Sequence, residues 1–231
     1  MTYASTRHNH MKLGGILKEN GGEQIMILMF IGPSSSGKDT FFKPILEEFS
    51  LKPIILSTTR PMREGETDGL TYHFISMDEM NRLEKEKKLV ERRDYHTVNG
   101  LWSYATCAEN INLGENYLVV NTWAAYQKYV EFYGPGMLTP IYFSMDDGLR
   151  LERALLREKM QDNPNYAEVC RRFLKDSEDF TEDCIKKYNP YVIDNNGTYE
   201  ETRAQLFDVV SQVLQKEKTI TRTLQKKNPK C

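Results

Sequence analysis

The chain has little of what staples or metallates a small domain. Only four cysteines occur in 231 residues, Cys107, Cys170, Cys184 and Cys231, and their spacing matches no metal-ligand pair. The four histidines offer no better site, since His8 and His10 lie in a polar stretch and His73 and His96 stand alone. Neither a disulfide framework nor a metal cluster is expected, and a reducing, cytoplasmic setting is the reading that follows. Residues 1–24 lack the apolar stretch of a secretory signal and read as a polar, mobile leader. Long hydrophobic runs are missing as well. The longest, Ile25 to Ile31, has seven residues, against the roughly 20 that a bilayer span needs. No membrane partner is expected, and the run fits a strand buried on both faces.

Charge of one sign is also lacking, with 31 Lys and Arg against 33 Asp and Glu. The balance hides an asymmetry, because residues 216–231 carry +5 and leave −7 on the rest. Apart from this basic tail there is no cationic patch, so nucleic acid is not an expected partner. Hydrophobic residues at 39% and charged residues at 28% describe one globular domain, with room for a small insertion.

What is there is an alternation of strands and helices. After Ile25–Ile31 comes a Gly/Ser-rich turn, then Phe41, Phe42, Ile45, Leu46 and Phe49 at helical spacing. Strands are predicted at Pro53–Thr58, Tyr72–Ile75, Leu89–Val98, Tyr117–Asn121, Thr139–Ser144 and Val192–Ile193. Helices are predicted after Ser76, over Thr122–Tyr133, as a long pair broken near Asn163 and Pro164, and after Thr198 through Leu214. Ser76 with Glu79 and Thr198 with Glu201 have the spacing of capping boxes. The fold class is α/β, a parallel sheet with helices on both faces, and ligands belong beyond the carboxyl ends of its strands.

The sharpest motif is Gly32-Pro33-Ser34-Ser35-Ser36-Gly37-Lys38-Asp39-Thr40, between a predicted strand and a predicted helix. Glycines at these places allow backbone N–H groups to converge on phosphate oxygens, and the lysine reaches the terminal phosphates of a bound nucleotide. The position that often carries a magnesium-ligating hydroxyl holds Asp39. A carboxylate can take that role directly or through water, and Thr40 is the other candidate. Downstream, Arg60 and Arg63 flank a Pro-containing turn shortly before Tyr72. Two guanidinium forks beside a phenol suit a phosphate dianion, although a solvated charged turn would look the same.

These two blocks, GPSSSGKDT and STTRPMREGETDGLTYHF, resemble the guanylate kinase family, and the similarity covers most of residues 25–215. The resemblance implies a P-loop sheet with a small acceptor-binding β/α insertion at about 57–106 and a helical lid at about 146–180. It also implies ATP and GMP as substrates and Mg²⁺ as cofactor. Gly32 to Thr40 and Asn195 would contact ATP, and Asp39 or Thr40 would ligate the metal. Arg60, Arg63 and Tyr72 would hold the GMP phosphate, and Glu91 would read guanine through its N1–H and N2–H donors. Lys38, Arg60, Arg153, Arg157 and Arg172 would carry the transferred charge. Three positions depart from the family pattern. Leu56 replaces a serine, Asn121 an aspartate, and Trp102 stands where a phosphate-binding tyrosine is expected, with Tyr104 as the nearby hydroxyl. Two alternatives stay open: a ribose 1,5-bisphosphate phosphokinase or other small-molecule phosphokinase, and a non-catalytic guanylate-kinase-like module. The protein is expected to act as a monomer or homodimer.

Overall fold

The computed structural model describes residues 26–63, 65–97, 100–112 and 114–227, the last eleven as backbone alone. The expected leader and the last four residues of the expected tail lie outside the described residues. In chain order the elements are β1 (Met26–Ile31), α1 (Lys38–Phe49), β2 (Lys52–Pro53), β3 (Ser57–Thr58), β4 (His73–Phe74), α2 (Met77–Lys85), β5 (Leu89–Thr97), β6 (Gly100–Cys107) and β7 (Asn116–Val120). There follow α3 (Trp123–Tyr133), β8 (Leu138–Ser144), α4 (Asp147–Lys159), α5 (Tyr166–Asp179), α6 (Glu182–Tyr188), β9 (Tyr191–Asp194) and α7 (Tyr199–Lys227).

Every residue of β1 is buried, because this strand lies at the centre of a five-stranded parallel sheet ordered β2-β7-β1-β8-β9. The two-residue period of the strand sends its side chains alternately to two cores. Ile27, Met29 and Ile31 meet Trp123, Tyr126 and Tyr129 of α3 and the partly buried Tyr188 of α6. Met26, Leu28 and Phe30 meet Phe41 and Ile45 of α1 and Leu206, Val210 and Val213 of α7. Helices therefore cover both faces, as the alternation of elements predicts.

Polar caps set the helix starts. The Thr198 hydroxyl accepts from Glu201 N–H at 3.3 Å while the Glu201 carboxylate accepts from Thr198 N–H at 2.8 Å, a complete capping box. Thr122 caps α3 and Asn165 caps α5 in the same sense. The break at Asn163 and Pro164 separates α4 from α5, as read from the sequence.

Four expectations need correction. Pro53–Thr58 is not one strand: the chain leaves the main sheet after Ile54 N–H bonds Leu118, and Ser57–Thr58 pairs instead with β4 and β6. Pro53 supplies no N–H, which suits a terminal position on the edge strand β2. The second strand of a hairpin, β6, was not foreseen, and it pairs antiparallel with β5 along nearly its whole length. A third short helix, α6, follows the helical pair. Finally, α7 continues to Lys227, so the backbone of the expected tail is helical through most of its length.

Candidate active site

The loop after β1 has a backbone that few sequences tolerate. Gly32 and Gly37 have φ of +152° and +91°, and a Cβ would lie 2.8 Å from the Phe143 carbonyl oxygen at Gly32 and overlap Asn195 Nδ2 at Gly37. Ser35 takes φ +63° between them. Lys38, the first residue of α1, folds back over the loop, and its ammonium donates to the Gly32 and Pro33 carbonyls at 2.7 and 2.6 Å and to Ser36 Oγ at 3.2 Å. Burial draws the Lys38 ammonium down to about 8, against the opposing charges of Asp39 and Asp176.

A cavity of about 760 Å³ opens on this loop, lined by Ser34, Ser35, Lys38 and Asp39 on one side and by Arg157, Glu158 and Arg172 of the helical pair on the other. Arg157 Nη2 donates to Ser35 Oγ at 3.2 Å. Asn195 is elsewhere than expected. It is buried beneath the loop, its Nδ2 donating to the Ser36 carbonyl at 2.8 Å and its Oδ1 accepting from Thr202 at 2.9 Å, so it braces the loop and does not line the cavity. Thr40 is exposed and also outside the lining, whereas Asp39 is part of it. Arg153 is exposed and lines neither this cavity nor the one beside it.

A second cavity, about 800 Å³, lies beside the first, and Val120 and Arg172 line both. Its wall is one face of the β5–β6 hairpin. Residues two apart on a strand share a face, and the register sets Arg93 opposite Tyr104 and Tyr95 opposite Trp102. All four line the cavity together with Leu56, Tyr72 and His96. Tyr104 also interacts with the Arg60 guanidinium, and its ring meets Tyr72 and Tyr95 edge to face at 5.7 Å each.

Glu91 lies on the same hairpin face, opposite Thr106, but deeper. Its carboxylate is buried, accepts from Arg93 Nε at 3.0 Å and from Thr106 Oγ1 at 3.1 Å, and does not line the cavity. Arg60 is buried as well. Its guanidinium donates to Glu66 at 2.6 Å and to the Pro61 carbonyl at 2.7 Å, and it sits 5.5 Å from the Tyr72 ring centre and 5.6 Å from that of Phe74. The Arg60 fork and then the Arg63 N–H hold the Glu66 carboxyl below its ordinary range. Arg63 is exposed. The structure thus unites Tyr72, Trp102, Tyr104 and Arg172 at one cavity and leaves Arg60, Arg63 and Glu91 outside its lining.

Several residues at the site escaped sequence reading. Arg93, Tyr95, His96 and Arg171 line the second cavity, and only knowledge of β6 and its register would have revealed the first two. Arg150 and Asp176 join the helical pair to the loop. Arg150 is two helical turns before Arg157, a spacing that points to one face, but no sequence signal marks Asp176. Asn121 directly follows β7, with its Nδ2 buried and without a partner among the described residues. Those residues hold no cluster of three or more His, Cys, Asp or Glu arranged for a metal, and no described helix is long and apolar enough to cross a membrane.

A family model for guanylate kinase matches residues 24–114, the stretch that holds the phosphate loop and the hairpin. A guanylate kinase of Chlorobium luteolum is 46% identical over 54 residues, which is 23% of this chain and 27% of that protein. One from Cupriavidus metallidurans is 26% identical over 185 residues, or 80% of this chain and 82% of the relative. A crystal structure of guanylate kinase from Anaplasma phagocytophilum aligns over 85% of this chain and 87% of that one, with 22% identity and a TM-score of 0.49. The more identical alignments span about a third of the curated relatives they match. With the phosphate loop formed and the matched pattern running through it into the hairpin, the chain is similar to guanylate kinases over this stretch.

Proposed function

We propose that the protein transfers the γ-phosphoryl group of ATP to the phosphate of GMP, giving ADP and GDP. The observation that carries this reading is the pair of adjoining cavities, one on a phosphate loop with a folded-back lysine, the other walled by aromatic rings and arginines, with Arg172 at the join. The helical pair α4–α5 would serve as the lid and the β3–β6 region as the acceptor-binding insertion.

The acceptor phosphate is already anionic near neutral pH, so the reaction needs no general base. Its oxygen attacks phosphorus in line as the bond to the ADP oxygen breaks, and positioning together with positive charge supplies the catalysis. Lys38 would leave its loop carbonyls for the donor phosphates, while Arg157 and Arg172 would face the transferred group. Tyr72 and Tyr104 would meet the acceptor, with Arg60 close behind them. Magnesium needs few protein oxygens because phosphate and water complete its shell, and Asp39, a carboxylate in the lining beside Lys38, fits that demand. Asp39 would hold the ion, whose charge offsets that of the nucleotide phosphates.

One observation favours a second reading. Glu91 spends its carboxylate on Arg93 and Thr106, so the cavity presents a cation where a guanine-reading anion was expected. A small-molecule phosphokinase acting on a sugar phosphate would suit that wall. The test is ADP release with magnesium and ATP against GMP, dGMP, AMP, UMP and ribose 1,5-bisphosphate. Turnover with GMP and dGMP above the others supports the first reading, and turnover with the sugar phosphate alone replaces it with the second.

A further inference from the structure

Each helix of the pair carries a charge on its inner side, buried on α4 and partly buried on α5, and an arginine over the donor cavity on the same face. On α4 these are Arg150, 2% exposed, and Arg157, two turns further on. On α5 they are Asp176 and Arg172, one turn apart, a spacing that stacks side chains along one helix face. The two inner charges meet each other and the phosphate loop. Asp176 Oδ2 accepts from Ser34 N–H at 2.8 Å and from Arg150 Nη1 at 3.2 Å. Arg150 is held further by Asp147 at 2.7 Å and lies 4.1 Å over the Phe173 ring. Asp176 is itself outside the lining of the donor cavity.

We propose that Asp176 is a positioning residue, locking the lid helices to the phosphate loop so that Arg157 and Arg172 stand at fixed height over the transferred phosphoryl group. This rests on the phosphotransfer reading above. The physical case is one of lever arms. A carboxylate tied at once to a loop amide and to a guanidinium on the other helix removes the sliding freedom of both helices relative to the loop. Charge-assisted bonds of this kind are stronger than neutral ones and lose their value steeply when one partner goes. Transition-state charge is most sensitive to small misplacement of the arginines that meet it.

The experiment compares Asp176→Ala and Asp176→Asn with the wild type in steady-state transfer from ATP and in ADP release without acceptor. Asp176→Ala is expected to lower kcat by about 10-fold or more while both KM values move less than about 3-fold. Its ratio of acceptor-free ADP release to transfer should rise, because a loosened lid admits water. Asp176→Asn keeps an oxygen for the Ser34 N–H and should recover at least half of the lost activity. Wild-type kcat and an unchanged hydrolysis ratio in Asp176→Ala would overturn the proposal. The lock is read separately, without catalysis, by limited proteolysis of residues 160–165 between the lid helices in nucleotide-free protein. Faster cleavage in Asp176→Ala supports the lock even if no acceptor is turned over, which is the failure of the phosphotransfer reading alone. An unchanged cleavage rate overturns the lock whatever the activity.

Discussion

At the scale of single residues the site is held in pairs, and the pairs decide what a substitution does. Lys38 is charged below about 8 and neutral above. In the proposed reaction the free protein would therefore offer its ammonium to ATP at pH 7 and withdraw it as pH rises. The profile of kcat/KM for ATP, which reports free-enzyme groups, should fall along an alkaline limb near pH 8, and a level profile to pH 10 would take Lys38 out of donor binding. Lys38→Ala should cost at least about 100-fold in kcat/KM with a circular dichroism spectrum like that of the wild type. Glu91 has two possible duties, and one variant separates them. If it reads the base, Glu91→Ala lowers the preference for GMP over AMP by about 10-fold or more. If it only anchors Arg93 and Thr106, thermal stability falls and the preference stays. Measuring both quantities on the same variant decides between them.

At the scale of elements, periodicity was legible wherever one segment carries its own pattern. β1, α1 and α3, and the caps at Thr122 and Thr198, are written in consecutive residues, and so is the phosphate loop, since its glycines are demanded by local backbone geometry. What was not legible depends on partners far along the chain. β6 exists because β5 pairs with it, and the role of Asn195 depends on the phosphate loop lying above it. Asp176 contacts Ser34 across 142 residues of sequence. The same reasoning weighs β1, the strand both cores share. Leu28 is fully buried, and Leu28→Ala should destabilise the fold by about 2–5 kcal/mol. Urea unfolding would measure it, and a loss under 1 kcal/mol would mean that the α1–α7 side repacks with ease. Asn195→Ala, by contrast, should spare much of the stability while raising KM for ATP, because it frees the loop from its brace.

At the scale of the whole molecule the near-neutral charge conceals an acidic body in which Lys38, Arg93, Arg157, Arg171 and Arg172 line the two cavities. Many of the carboxylates are spoken for. Hydrogen bonds from Arg171 and then Arg172 hold the Glu168 carboxyl down to about 2, Arg92 holds Asp94 below its ordinary range, and Arg60 does the same to Glu66. A carboxyl whose folded value is depressed contributes stability that is complete above its unfolded value, near 4.5 for Glu168, and is lost as pH falls toward the folded one. The melting temperature should therefore hold level from pH 7 to about pH 5 and fall below that. Glu168 is a third exposed at its side chain, so solvent screening reduces its share. Its larger effect is on geometry, since it orients Arg171 and Arg172 at the second cavity. Glu168→Gln should flatten the acid limb of the melting curve only slightly and yet raise KM for the acceptor. If the limb flattens strongly while acceptor KM is unmoved, the arginines take their places without Glu168, and acid stability belongs to this one carboxylate more than to the set.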